Sequence, residues 1–157
     1  MSSIRKKAIA GLRVGDVFSV SREFTQADVN RYADISRDYN PVHFDARFTD
    51  AKGFEGPICH GLLVAGMISE IGGQIGWLAS EMRFQFKKPI YFGDRIVCEL
   101  VITEIDDKGR AAATAQYRNQ HGIVVMEAFL KGILPGSKEK QVMAAMAAEG
   151  DPSNPIE

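Results

Sequence analysis

No apolar stretch in this chain approaches the roughly 20 residues that a helix needs to cross a bilayer, so no membrane-spanning helix is expected. Charge of one sign is also missing. Against 20 acidic side chains stand 19 basic ones, a formal net charge of −1. That balance gives no global attraction to nucleic acid or to an anionic membrane, and neither is expected as a partner. Cysteine is scarce: Cys59 and Cys98 lie in apolar contexts at no metal-ligand spacing. This excludes a disulfide framework, and no metal is expected. Two buried free thiols in a reducing, cytoplasmic setting are the expectation instead. Arg5-Lys6-Lys7 is basic but no long apolar segment follows, so neither a secretory leader nor an anchor is expected. Internal repeats are absent.

What is present fits one domain. The chain has 157 residues, 45% of them apolar and 25% charged, enough for a real core. Residues 1–11 read as a loose basic arm or edge segment. Val17 to Phe24 reads as a strand, and Thr25 with Asp28 as a capping pair opening a helix that ends near Arg37. Val29, Tyr32, Ala33 and Ser36 give that helix one packed face. An apolar helix is expected over Leu62 to Gly73. After it the period changes. Met82 to Lys87 alternates, Arg95 to Ile105 places Ile96, Cys98, Leu100 and Ile102 on one face, and Ala111 to Arg118 and Ile123 to Leu134 complete a meander. Asp106-Asp107-Lys108-Gly109 and Asn119-Gln120-His121-Gly122 are its hairpins. The core is expected over about 14–134. From Pro135 a weak helix and then disorder are expected, making 135–157 a weakly structured tail. The order predicts an α+β fold, an antiparallel sheet wrapped around one central buried helix. The open sheet edges suggest a homodimer that covers one of them.

The stretch from Tyr32 to Glu70 carries the chemistry. Asp38 and His43 are joined by Tyr39-Asn40-Pro41-Val42, and a residue before proline avoids the helical region, so the turn is stiff and brings a carboxylate and an imidazole together. Pro57-Ile58-Cys59-His60-Gly61 then leads into the run Leu62 to Ile68, apolar on every side and so expected to be buried on every side. A helix starting after glycine offers free N–H groups and a positive dipole end. An acid–base pair facing an anion-stabilising helix start is the functional expectation.

Three blocks carry a resemblance to a known family: Asp38-Tyr39-Asn40-Pro41-Val42-His43, then Phe54 to Gly61, then Lys88-Pro89 through Gly93-Asp94. They resemble the MaoC-like (R)-specific enoyl-CoA hydratases of the hot-dog fold, and the likeness covers roughly Val14 to Leu134. It implies that Asp38 and His43 hold and activate a water, that Gly61 gives a backbone N–H to a thioester carbonyl, and that Ser69 is an active-site residue. It also implies a homodimer or dimer of dimers, an acyl-CoA or acyl-carrier-protein substrate, and no cofactor beyond the coenzyme A of the substrate itself. Asn40 is expected to orient the turn and His60 to brace the helix start. Trp77 and Phe92 either line an acyl tunnel or belong to the core, and Arg83, Lys87 and Lys88 either meet coenzyme A phosphates or form a wet strand face. Rival functions are a (3R)-hydroxyacyl-carrier-protein dehydratase, a thioesterase, and a non-catalytic acyl-thioester-binding subunit.

Overall fold

The alternating run that starts at Arg95 sets the architecture. In the computed structural model, which describes residues 1–151, 154 and 156, it forms strand β3 (Arg95–Ile105). Ile96, Cys98, Leu100 and Ile102 are completely buried on its inner face. Around it lie β1 (Val17–Glu23), β4 (Arg110–Arg118), β5 (Val124–Ile133) and β2 (Leu78–Phe86), in the antiparallel order β1-β3-β4-β5-β2. Both expected hairpins are present. Each turns through a glycine in the left-handed region, Gly109 at φ 76° and Gly122 at φ 74°, where a side chain would be strained.

The concave side of the sheet holds α4 (Gly61–Ala65) and α5 (Met67–Ile75). Val64, Ile68, Ile71 and Ile75 join Leu100, Ala113, Tyr117 and Met126 in one core. Each large buried side chain there contributes about 1.5–3 kcal/mol by leaving water. Two expectations change here. The single apolar helix is two segments meeting at Gly66. Nor is it buried all round: Leu62, Gly66, Ser69 and Gly73 form an exposed stripe, because the sheet encloses only one side of it. The expected alternation of β2 fails for a related reason. Only Phe84 is half-buried, and Leu78, Met82 and Phe86 are exposed, because β2 is the outermost strand with a neighbour on one side alone. The helix expected after Thr25 is α2 (Gln26–Ser36), with the full Thr25–Asp28 capping box. Val29 and Ala33 are buried on it and Tyr32 half-buried, but Ser36 is exposed. Cys59 and Cys98 are buried free thiols, each pushed up to about 12 by burial.

The N-terminus departs from the loose arm that its charges suggest. Residues Ser3–Ala10 form α1, whose Ser2 Oγ accepts the Arg5 N–H, and the small Ala8 and the stem of Arg5 let it dock closely on α5. The tail is helical over Ser137–Ala148 (α6) with Met143 buried, and it packs beside α1. The disorder expected after it falls largely on residues outside those described. The two ends meet at α5 in a buried polar knot. Ser2 Oγ donates to Gln74 Oε1 at 2.5 Å, Gln74 and Asn154 exchange amide bonds of 2.7 and 2.8 Å, and Arg5 donates to the Gly73 carbonyl at 3.3 Å.

Replacing Gln74 by Leu removes the centre of this knot and strands the Ser2 hydroxyl and Asn154 amide. Loss of about 1–3 kcal/mol is expected in urea unfolding, with the slope of the transition unchanged.

Candidate active site

Asp38 follows the end of α2, where Arg37 takes the left-handed conformation (φ 62°) and stops the helix. A chain of short-range bonds then winds the backbone tightly. The Asp38 N–H donates to Ser36 Oγ, the Asn40 N–H to Asp38 Oδ1 and the Val42 N–H to Asn40 Oδ1, each at 3.2 Å. Asn40 is thus the cap of the 3₁₀ turn Pro41–His43, the orienting role expected of it. Segment 58–60 runs alongside. Its Ile58 N–H donates to the Val42 carbonyl at 3.2 Å and its Cys59 N–H to the Ile90 carbonyl at 2.8 Å. The block from Lys88 to Asp94 therefore serves as a backing strip, with Ile58 and Tyr91 paired as an isolated bridge.

Two histidines cross-link these segments in opposite directions. His43 Nδ1 lies 2.8 Å from the Ile58 carbonyl, and His60 Nε2 lies 2.9 Å from the Asp38 carbonyl. A carbonyl only accepts, so the facing nitrogens carry the protons. The other nitrogens, His43 Nε2 and His60 Nδ1, are left as acceptors. The rings stack at 3.7 Å between centroids and 31° between planes, and Tyr32 packs on His60 at 4.9 Å. His43 and His60 are buried, whereas the Asp38 side chain is half exposed. Burial holds the His43 imidazole below its ordinary range. The bond to Ile58 opposes this, the neighbouring His60 adds to it, and the Asp38 carboxylate pulls the other way.

Asp38 Oδ2 and His43 Nε2 are 3.8 Å apart, too far for a direct bond, and with this tautomer both are acceptors. One water, or one hydroxyl together with a neighbouring donor, satisfies both. Asp38, His43 and His60 also bring one donor atom each within 4.8 Å, the spacing of a metal cluster.

Gly61 is the first residue of α4, directly after His60, and the structure records no acceptor for its N–H among the described residues. A Cβ at Gly61 would lie 2.5 Å from the Phe86 ring, so the last residue of β2 packs where a side chain would be. A side chain there would have to push the exposed Phe86 ring aside. Ser69 is not part of this cluster. It lines an apolar cavity of about 120 Å³ with Ile68, Gly72, Trp77, Met82 and Leu100. His121 is exposed in its hairpin, and Arg83 and Lys87 are paired with Glu81 and Glu127. No sequence signal pointed to the Ile58 and Asp38 carbonyls, which are backbone groups, or to Phe86. Tyr32 was visible only as one member of a packed helix face.

Residues 14–122 match the family described as MaoC like domain. The chain is 33% identical over 140 residues to a mitochondrial 3-hydroxyacyl-[acyl-carrier-protein] dehydratase of Arabidopsis thaliana, covering 85% of this chain and 83% of that one. It is 34% identical over 120 residues to an (R)-specific enoyl-CoA hydratase of Aeromonas caviae, covering 73% and 90%. Among solved structures, the (R)-hydratase from Aeromonas caviae superposes with a TM-score of 0.74 at 32% identity, over 80% of this chain and 98% of that one. An (R)-hydratase of Pseudomonas aeruginosa in its unliganded form gives 0.74 at 27%, over 81% and 84%.

The geometry predicts that His43, followed by NMR, titrates below its ordinary value of 6.5 with the proton on Nδ1. Asp38→Asn should move that titration further down by removing a carboxylate, and His60→Ala should move it back up. A His43 that titrates above 6.5 would contradict the site as described.

Proposed function

Because the chain belongs to the MaoC-like domain family, we propose that it is an (R)-specific hydratase/dehydratase interconverting trans-2-enoyl-CoA and (R)-3-hydroxyacyl-CoA. The observation that carries this reading is the 3.8 Å gap between two acceptors, Asp38 Oδ2 and His43 Nε2. A water held there donates to both and has a lone pair left for C3 of the enoyl chain. As its oxygen bonds to C3, one of its protons passes to the Asp38–His43 pair. The electrons of the double bond move toward the thioester carbonyl, and the pair returns the proton to C2. With His43 Nδ1–H committed to Ile58, the proton delivered to C2 is one that the water gave up, so atoms and charge balance without an outside acid. Base and acid roles are shared by the coupled pair.

The enolate-like transition state places negative charge on the carbonyl oxygen, and the Gly61 N–H is the donor proposed for it. Asn40 and His60 support the site by holding the turn. Neither redox state nor group oxidation level changes in hydration, so the reaction calls for no cofactor beyond the coenzyme A of the substrate. The cavity beside Ser69 takes the acyl tail, with Trp77 in its wall. A second copy of the chain is proposed to pair along β2 and cover Leu78, Met82 and Phe86, which are exposed there. No helix is long and apolar enough to cross a membrane among the described residues. The free buried thiols support the cytoplasm or another reducing compartment. The plant relative favours one alternative, the same chemistry on an acyl-carrier-protein substrate.

Purified protein should remove the enoyl-thioester absorbance of crotonyl-CoA and yield the (R)-alcohol on chiral analysis. Activity restricted to acyl-carrier-protein esters would select the alternative, and none on either carrier would overturn the hydratase. Asp38→Asn and His43→Ala should each lower kcat by about 100- to 10,000-fold while acyl-CoA binding persists. In wild type the rate should fall as pH drops through an inflection below 6.5, because protonating His43 removes an acceptor for the water.

A Cβ at Gly72 meets open space. Gly72→Leu should fill the cavity and lower kcat/KM for longer enoyl chains by roughly 10- to 200-fold, with crotonyl-CoA little affected.

A further inference from the structure

The break between α4 and α5 lies directly behind the proposed oxyanion donor, and Gly66 alone does not explain it. Gly66 is at φ −57° and ψ −17°, a helical conformation open to any residue. The hydrogen-bond ladder nevertheless slips. The Ser69 N–H bonds the Gly66 carbonyl at 2.9 Å, one residue short of the Ala65 carbonyl that regular helix geometry assigns to it. The Ala65 carbonyl is taken instead by Tyr117, whose hydroxyl donates to it at 2.9 Å. The N–H of Ile68 lies close to the same hydroxyl, which also sits beside the Cys98 thiol. Tyr117 is completely buried on β4. One side-chain hydroxyl from the sheet has therefore entered the helix ladder and satisfied a carbonyl that the break leaves over, a recognised cause of kinks.

We propose that Tyr117 is a positioning residue for the reaction: its hydroxyl pins the α4–α5 break and thereby aims the Gly61 N–H at the thioester carbonyl. This rests on the oxyanion role proposed for Gly61. The spacing makes it effective, since α4 spans only Gly61–Ala65 and its far end is the residue that Tyr117 holds. Without the hydroxyl, Ile68 and Ser69 can return to regular partners, the two segments straighten, and the start of α4 swings while Asp38 and His43 stay in place.

Tyr117→Phe removes only the hydroxyl. The expected result is a fall in kcat of about tenfold or more with little change in KM, because the lost contact acts on charge developed in the transition state. The absorbance red shift of a bound conjugated dienoyl-CoA, which reports polarisation of the carbonyl, should shrink in step. A purely structural tyrosine would lower the unfolding midpoint but leave the folded enzyme's kcat and the red shift intact, and that result would overturn the proposal. Gly66→Ala gives an independent arm if Tyr117→Phe does not fold. Its Cβ would lie 3.1 Å from the Leu63 carbonyl, a tight contact that presses the backbone at the break by a few tenths of an ångström without any change to Tyr117. It should show the same loss of kcat and red shift, and wild-type values would count against the pin. The Gly61 amide resonance, followed by NMR without substrate, should move in both variants. A stationary resonance refutes the pin even if the wild type hydrates no thioester, whereas an inactive wild type with a moving resonance strikes only the functional reading.

Discussion

Everything at this site depends on a reciprocal clasp between two short segments. His43, on the turn after Asp38, donates into segment 58–60, and His60, on that segment, donates back to the Asp38 carbonyl. The stacked rings between them leave no room for either segment to slide. The clasp ties the turn that carries Asp38 and His43 to the residue that precedes the central helix. It also fixes the tautomer of each ring, because a carbonyl accepts and never donates. A single local arrangement sets the positions of Asp38 and His43, the tautomer of His43, and the start of α4. The energetic basis is that both bonds are buried or partly so, where an unmatched partner costs more than the bond itself returns.

The parts of this design that repeat in sequence were legible there. Period-two burial along Ile96, Cys98, Leu100 and Ile102 marked the central strand, and two glycine hairpins marked its neighbours. The Asn-Pro turn announced a stiff link between Asp38 and His43, and the Thr25–Asp28 pair announced the helix before it. What escaped was set by tertiary contact. The alternation of Met82 to Lys87 suggested a half-buried strand, but its place at the sheet edge decides exposure, and place in a sheet is not a local property. The charges of Arg5-Lys6-Lys7 suggested a loose arm, whereas the single small residue Ala8 and a cap at Ser2 were enough to dock a helix. His60 was expected to brace the helix start; its side chain makes no cap bond there and instead reaches a carbonyl 22 positions away, which no local pattern signals. Gly61 was legible as a residue without a side chain, although Phe86 supplies a reason that no motif contains.

The division of labour between sheet and helix follows from the same geometry. The inner residues of β3 and β4 are rigid and fully buried, so they hold the helix pair from behind, and Tyr117 extends that grip into the helix backbone. The exposed stripe of Leu62, Gly66, Ser69 and Gly73 lies on the opposite side, free of the constraints that fix the core. The buried side, by contrast, is packed against the sheet on every residue it presents, so changes in size there are felt by the core.

The packing of α1 against α6 has a topological consequence. Helices α1 and α6 lie side by side, so the path from α1 to α6 is nearly a closed circuit. A short flexible linker joining them would make it one. The ring could then be reopened at the exposed Asp106–Gly109 hairpin, giving a permuted chain in which the two halves of the clasp, on 38–43 and 58–60, remain on one uninterrupted segment.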